Sequence, residues 1–308
     1  MNTELNAITE SSIQAQGSAP AAVSPIQAMY WSIRREIWEN RSIYVAPLAA
    51  AGLFLFGFAI NMAIMRRRIG VLPFDPAQQH DLLATRYELS AALIMGTALI
   101  VGVFYSLDAL YGERRDRSIL FWKSLPVPDL TTVLSKLTIP LLVLPLLSFA
   151  ITLATQFIML VLSSVMLLGS GMNIAALWTG TSFFRVSLVL LYHLLTVHGL
   201  YYAPIYGWLL MVSAWAPRAP FLWAFLPPFV IVGVEKVAFN TSYFLALLRE
   251  RLVGGPEGSM AQNNHAEDWT GTLIPHHFFA APGLWIGLAV AAVFLFIAVR
   301  LRRYRGPI

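Results

Sequence analysis

The chain contains no cysteine among its 308 residues. A disulfide framework and a thiolate metal site are therefore both excluded, and cysteine gives no information on the redox compartment. Charge is also scarce, because only 12% of the residues are Asp, Glu, Lys or Arg, whereas 57% are hydrophobic and the mean hydropathy is +0.66. Soluble domains are about 45–50% apolar and about 25% charged. The composition is therefore that of a membrane protein.

The apolar residues are grouped into long runs without charge. Ile43–Met65 and Leu89–Leu107 carry no charged side chain, and Leu137–Phe184 is long enough for more than one span. A helix needs about 20 apolar residues to cross a bilayer, whereas a transmembrane barrel shows short alternating segments. We therefore predict an all-α membrane protein with six transmembrane helices. The predicted spans are 43–65, 88–107, 138–168, 175–211, 221–239 and 282–299.

The residues before the first span divide into two parts. Residues 1–25 are polar and small, and we expect a disordered tail rather than a signal peptide. From Pro25 to Arg41 the sequence is amphipathic, since Met29, Ile33 and Ile37 recur every four residues between charged positions. This pattern is typical of a helix that lies in the membrane interface. We predict an N-terminal elbow helix, and a single transmembrane domain over residues 26–305.

The distribution of basic residues predicts the orientation. Six spans place both termini on one side, and that side holds about twice as many Lys and Arg residues as the other. By the positive-inside rule both termini are cytoplasmic, although the triplet Arg66–Arg68 on the opposite side argues against this. We expect a multi-pass protein of the bacterial inner membrane. The net charge of +5 is attributed to helix ends that face anionic lipid, so nucleic acid is not expected as a partner.

One stretch concentrates the charge between the second and third predicted spans. Asp108–Lys136, called here the polar segment, is expected to leave the bilayer on the cytoplasmic side. Because glycine and proline punctuate its ends, we predict one short helix over Glu113–Lys123. Asp129 is predicted to cap a second helix over Leu130–Lys136. The segment also carries apolar residues that a solvated linker does not need, namely Ile119, Leu120, Phe121 and Trp122. It is therefore interpreted as a docking element.

The residues of this segment carry a family resemblance. The sequence LYGERRDRSILFWKSLPV at 110–127, followed by TVLSK at 132–136, resembles the signature region of the ABC-2 family of transporter permeases. The elbow, the six spans and SAWAPRAPFLW at 213–223 are also similar to that family, so the resemblance extends over about residues 26–305. It implies a cytoplasmic coupling helix that inserts into a separate ATP-binding cassette ATPase subunit. The coupling residues that it implies are Glu113, Arg114, Arg115, Asp116, Arg117, Phe121, Trp122 and Lys123.

The sequence also lacks the means to hydrolyse ATP alone. A phosphate-binding loop needs glycine amides and an adjacent Gly-Lys pair to hold the phosphates, and no Gly-Lys pair occurs in this chain. We therefore predict that the chain is not an enzyme and carries no cofactor, and that ATP and Mg²⁺ bind in the partner subunit. The resemblance implies that the chain pairs with a second permease subunit, and we expect a homodimer. It also implies export of a substrate, but membership of the family does not identify that substrate.

Polar residues within the predicted spans keep other interpretations open. Asn61, Gln156 and Glu235 are candidates for a transport pathway, because intramembrane polar groups are costly, although interhelical hydrogen bonding explains the two amides as well. A secondary transporter coupled to protons or ions is the alternative, using Glu235, Arg185 or the histidines of the fourth span. An integral-membrane enzyme is a third interpretation, disfavoured because no nucleophile–base or metal-ligand spacing is visible. The pair His276–His277 is interpreted as part of a solvated outer loop.

Overall fold

The computed structural model describes residues 24–69, 76–124, 127–167, 194–253 and 282–308, together with Ser187 and Leu191. These residues form helices and no strand, which confirms the prediction of an all-α protein. Five of the helical segments are long and apolar enough to cross a membrane: Ser42–Ile64, Thr85–Arg115, Asp129–Val165, Pro220–Phe239 and Pro282–Tyr304. They coincide with five of the six predicted spans. The remaining one, 175–211, lies partly outside the described residues, as does almost all of the predicted tail 1–25.

Three long helices form the first half of the chain. Helix α1 (Pro25–Glu39) begins at Ser24, whose hydroxyl accepts a hydrogen bond of 3.2 Å from the backbone N–H of Gln27, and proline occupies the first helical position, where no N–H is needed. Helices α2 (Ser42–Ile69) and α3 (Pro76–Asp108) follow. The amphipathic helix is thus present where the sequence predicts it, and it ends within two residues of the first membrane-length helix.

The polar segment folds into three short helices: α4 (Tyr111–Arg115), α5 (Ile119–Ser124) and α6 (Asp129–Thr138). The prediction of one helix over Glu113–Lys123 is wrong, because Arg117 adopts a left-handed backbone with φ of 60° that no continuous α-helix accommodates. Asp129 is also not the N-cap. It is the first residue of α6, after Pro128, and its carboxylate binds an arginine described below.

The chain continues from α6 into the next membrane-length helix without a break. A π-helical segment, Ile139–Val143, contains Pro140 and leads into α7 (Leu144–Leu167). Proline cannot donate the backbone hydrogen bond of a regular helix, and a wider π-helical turn is one way in which a helix accommodates that loss. The entry to the third span is therefore locally unwound rather than interrupted.

The second half of the chain continues with α-helical and π-helical segments. A π-helical segment Leu194–Tyr201 precedes α8 (Ala203–Trp215), and α9 (Pro220–Val234) continues as a π-helical turn over Glu235–Phe239. Helix α10 (Tyr243–Val253) follows, and α11 (Pro282–Tyr304) is the last of the described helices.

The helices pack around α3, which contacts both halves of the bundle. Helices α2, α3 and α7 pack against one another, and α8 packs along α11 and against α3. Gly207 lies at the contact between α8 and α11, where a Cβ atom would be in ordinary van der Waals contact with Ala291 and Phe294. Helix α9 is different, since Ala224 is its only buried residue. Its exposed apolar surface is suited to lipid or to another transmembrane helix.

Candidate functional site

Six charged side chains form one cluster at the end of the bundle where the polar segment lies. The ion cluster consists of Arg35, Glu36, Glu113, Asp129, Lys136 and Arg302. They belong to α1, α4, α6 and α11, so these helices meet at a single point. The amphipathic helix, the polar segment and the end of the last helix therefore lie at the same end of the bundle.

Lys136 lies at the centre of the ion cluster. Its side chain is only 3% exposed, and its Nζ lies 2.8 Å from Glu36 Oε1 and 3.2 Å from Glu113 Oε1. Both carboxylates are buried as well. A buried charge is tolerated only when it is paired, and here one ammonium group joins a carboxylate of α1 to a carboxylate of α4.

Glu36 joins the amphipathic helix to the bundle through Lys136 and Tyr105, and it also pairs with Arg35 of its own helix. Besides Lys136, it accepts a hydrogen bond of 2.7 Å from the Tyr105 hydroxyl of α3 and one of 2.6 Å from Arg35 Nη2. Burial would raise the pKa of the Glu36 carboxyl, but the positive charges and hydrogen bonds of Lys136 and Arg35 outweigh it and hold the pKa below its usual value. Glu36 is therefore ionised at neutral pH.

Arg302 closes the cluster from the opposite side. Its Nη2 lies 3.3 Å from Glu113 Oε2, and its Nη1 donates to the carboxylate of Asp129. These six side chains supply three cations and three carboxylates, so their formal charges balance. Glu39, which is 51% exposed, adds a further carboxylate 3.6 Å from Arg35 at the edge of the cluster. Because the charges are neutralised within the protein, the polar segment can be held against apolar helix ends without exposing an unpaired buried charge.

A second set of contacts fixes the start of the polar segment on α8. The hydroxyl of Ser213, which is fully buried, accepts hydrogen bonds from the backbone N–H groups of Leu110 and Tyr111 at 3.0 and 2.9 Å. Arg114 Nη1 donates to the carbonyl oxygens of Ala214 and Ala216 at 2.7 and 3.2 Å. These carbonyls lie at the C-terminal end of α8, where backbone acceptors are otherwise unsatisfied.

The remaining part of the polar segment is exposed and forms what we call the tip. Arg115 and Asp116 are 54% and 62% exposed and pair with each other at 2.9 Å. Beside them, Leu120 and Phe121 are each 60% exposed, and Arg117 occupies the strained turn between α4 and α5. The tip therefore presents two large apolar side chains next to a mixed, largely basic rim.

Trp122 and Lys123 connect the tip to the body of the protein. The guanidinium of Arg35 lies 3.8 Å from the centre of the Trp122 ring, within cation–π range. Lys123 Nζ donates to the carbonyl oxygen of Arg303 at 3.2 Å. Helix α5 is thus attached to both α1 and the end of α11.

The structure divides the predicted coupling residues into two groups. Glu113 and Arg114 are buried and hold the segment in place, whereas Arg115, Asp116 and Phe121 are presented outward. Sequence reasoning missed Glu36, Tyr105 and Arg302 as members of the site. One signal could have identified Glu36, because it lies three residues after Ile33 and thus on the apolar side of α1 rather than on the polar side.

The candidate pathway residues are not brought together. Asn61 is exposed on α2, and Gln156 donates to the backbone carbonyl of Tyr87 at 3.4 Å. Glu235 accepts hydrogen bonds from the backbone N–H groups of Tyr243 and Phe244 at 2.6 and 2.9 Å, so it caps the N-terminus of α10. Helix capping therefore explains why a carboxylate lies near the end of this span, and no transport role is needed to explain it.

Comparison of the chain with protein-family models, with curated proteins and with solved structures finds no match. Among the residues that the structure describes, no group of three or more His, Asp or Glu side chains is arranged to hold a metal ion. The predicted outer-loop pair His276–His277 and the predicted fourth-span residues Arg185 and His193 lie outside the described residues.

Proposed function

We propose that this chain is the membrane-spanning permease subunit of an ATP-driven ABC-2-like exporter, and that the tip docks into a separate cytoplasmic ATPase subunit. The observation that supports this proposal best is the contrast within the polar segment. One side of the segment is attached to α1, α8 and α11 by buried charged side chains, while the other side exposes Leu120 and Phe121. Exposed apolar side chains with a charged rim are typical of a protein-binding surface.

The ion cluster supports a mechanical role for the segment. Breaking a buried ion pair by removing one partner costs about 3–5 kcal/mol, so a displacement of α4 is transmitted to α1, α6 and α11 rather than absorbed locally. In the proposed cycle, ATP binding draws two ATPase subunits together and moves the tip. The attached helices then reorient in a dimer of permease subunits, which opens the pathway for the substrate on one side of the membrane.

The docking part of the proposal is tested with variants of the tip. The full chain is expressed in its native host and purified in detergent, and both co-purification of an ATP-binding cassette ATPase and ATP hydrolysis are measured. Phe121→Asp and Arg115→Glu are expected to reduce both by at least about tenfold, because burying an unpaired charge in an interface costs several kcal/mol. The matched control is Leu247→Asp on α10, a helix that is not one of the membrane-length segments. Its side chain is 56% exposed, and the substitution is expected to leave ATPase binding unchanged.

Two results would contradict the proposal. One is the absence of any ATPase in the purified wild-type material. The other is ATP-driven activity of the tip variants equal to that of the wild type. The alternative of a proton-coupled transporter predicts instead that the isolated chain transports its substrate with a proton gradient alone, and that Glu235→Gln abolishes this transport although the amide oxygen can still cap α10.

A further inference from the structure

The amphipathic helix α1 presents a distinct set of side chains on the face that points away from the bundle. Glu36 is directed inward and is 1% exposed, whereas Trp31 and Trp38 are 57% and 70% exposed. Arg34 lies between the two indoles, with its guanidinium carbon 5.1 Å from the ring centre of Trp31 and 5.0 Å from that of Trp38. Residues 31, 34 and 38 are neighbours on one face of a helix, so the arrangement follows from their spacing.

The charge of Arg34 has no counter-ion in the described part of the chain. The neighbouring Arg35 pairs with Glu36, Glu39 and Glu113, but no ion pair among the described residues includes Arg34. The two indoles attract its positive charge through their π faces and offer no acceptor for its N–H groups, since an indole is a donor only. The guanidinium is therefore oriented by its neighbours while its planar fork of donors is left for an external anion.

The position of α1 identifies the source of that anion. Helix α2, the first membrane-length helix, begins at Ser42, three residues after α1 ends. Ile26 and Tyr30 are also exposed on α1, at 82% and 57%, and exposed aromatic residues beside a span are typical of the level of the lipid headgroups. An arginine at this depth faces phosphate groups, for which its bidentate geometry is well matched.

We propose that Arg34, held between Trp31 and Trp38, binds the phosphate of a glycerophospholipid headgroup. This site lies outside the polar segment and does not depend on the proposed coupling to an ATPase. It would fix the outward face of α1 to the membrane interface, while Arg35 and Glu36 fix its inward face to the ion cluster.

The proposal is tested by native mass spectrometry of the full chain in detergent, titrated with dioleoylphosphatidylglycerol. We compare Arg34→Lys and Trp38→Leu with the wild type, because both variants keep the positive charge but remove either the planar fork or one wall of the site. Each is expected to weaken the first lipid-binding step by about three- to fivefold, since lysine does not replace arginine at a stacked, bidentate site. Arg41→Lys is the matched control. Arg41 is a basic residue on the same short stretch before α2 with no ring contact among the described residues, and its substitution is expected to leave binding unchanged.

Two further titrations identify the source of the phosphate. Dioleoylglycerol, which has the same acyl chains and no phosphate, is expected not to occupy the site, and a large molar excess of inorganic phosphate is expected not to displace the bound phospholipid. The proposal is overturned if Arg34→Lys and Trp38→Leu bind the phospholipid as the wild type does, which would show attraction by surface charge alone. It is overturned equally if inorganic phosphate displaces the lipid, or if the wild-type chain retains no phospholipid. Thermal unfolding of each variant confirms that the comparison is made between folded proteins.

Discussion

Lys136→Met removes the central cation of the ion cluster while keeping the volume and the helical propensity of the side chain. The substitution leaves Glu36 and Glu113 without the ammonium group that lies 2.8 and 3.2 Å from them. Three buried or half-buried carboxylates then face two guanidinium groups. Because removing one partner of a buried ion pair leaves an uncompensated charge, we expect a loss of about 3–5 kcal/mol in the free energy of unfolding.

The measurement is reversible unfolding of the purified protein in mixed micelles by titration with sodium dodecyl sulfate, followed by tryptophan fluorescence. Arg115→Gln is the control, because it removes an ion pair of similar geometry that lies at the surface, where such pairs contribute little. The double substitution Lys136→Met with Glu36→Gln restores the charge balance, and its coupling energy in a double-mutant cycle is expected to be at least about 1 kcal/mol. If Lys136→Met unfolds at the same detergent fraction as Arg115→Gln, the cluster does not stabilise the attachment of the polar segment and our mechanical reasoning is refuted.

Three other predictions follow from the same geometry. Trp122→Ala removes the ring beneath the Arg35 guanidinium and is expected to weaken the attachment of α5 to α1 by about 0.5–2 kcal/mol. Trp122→Phe keeps an aromatic ring and is expected to lose less. The rate of proteolysis within the polar segment measures the difference between the two variants. Because the pKa of Glu36 is lowered in the folded protein, its ionised carboxylate stabilises the fold above the ordinary carboxyl pKa of 4.5, and this stabilisation is lost as the pH falls through the lower, folded-state pKa. The melting temperature of the wild type should therefore decline in that acidic range, and that of Glu36→Gln should decline less steeply. Ser213→Ala removes the acceptor of the buried Leu110 N–H and the half-buried Tyr111 N–H at the start of α4, and it is expected to lower the free energy of unfolding by about 1–3 kcal/mol. A melting temperature equal to that of the wild type would show that the Ser213 hydroxyl does not hold the segment.

The long helices could be predicted because the bilayer leaves few alternatives. An uncharged run such as Ile43–Met65 must satisfy its own backbone hydrogen bonds in hydrocarbon, and a helix does so within one segment. The amphipathic helix was also readable, since its apolar residues recur with helical spacing at Met29, Ile33 and Ile37. These features depend on local sequence, and the structure contains them, although the helix predicted over 88–107 begins at Pro76 and the segment predicted over 138–168 begins at Asp129.

The polar segment could be located from the sequence, but its internal arrangement could not be predicted. A charged side chain is ordinarily expected to be exposed, and Glu113 and Arg114 are predicted to contact the ATPase. In the structure both are buried and hold the segment in place. Their partners, Arg302 and the carbonyl oxygen of Ala214, are about 190 and 100 residues away. The break at Arg117 was equally unpredictable, because arginine has no special preference for a left-handed backbone. The burial of these side chains and the break at Arg117 both depend on contacts between residues far apart in the chain, and a single sequence does not show which distant residues pair.

The composition of the ion cluster has a consequence for how the protein is made. Glu36, Glu113 and Lys136 emerge from the ribosome well before α11, which carries Arg302. Until that last helix enters the membrane, the three carboxylates of the ion cluster face only two of its cations, Arg35 and Lys136. The polar segment then also lacks its attachment to the end of the chain. Insertion of α11 is therefore the event that completes the assembly, and a chain truncated before it exposes an incompletely docked polar segment to cellular quality control.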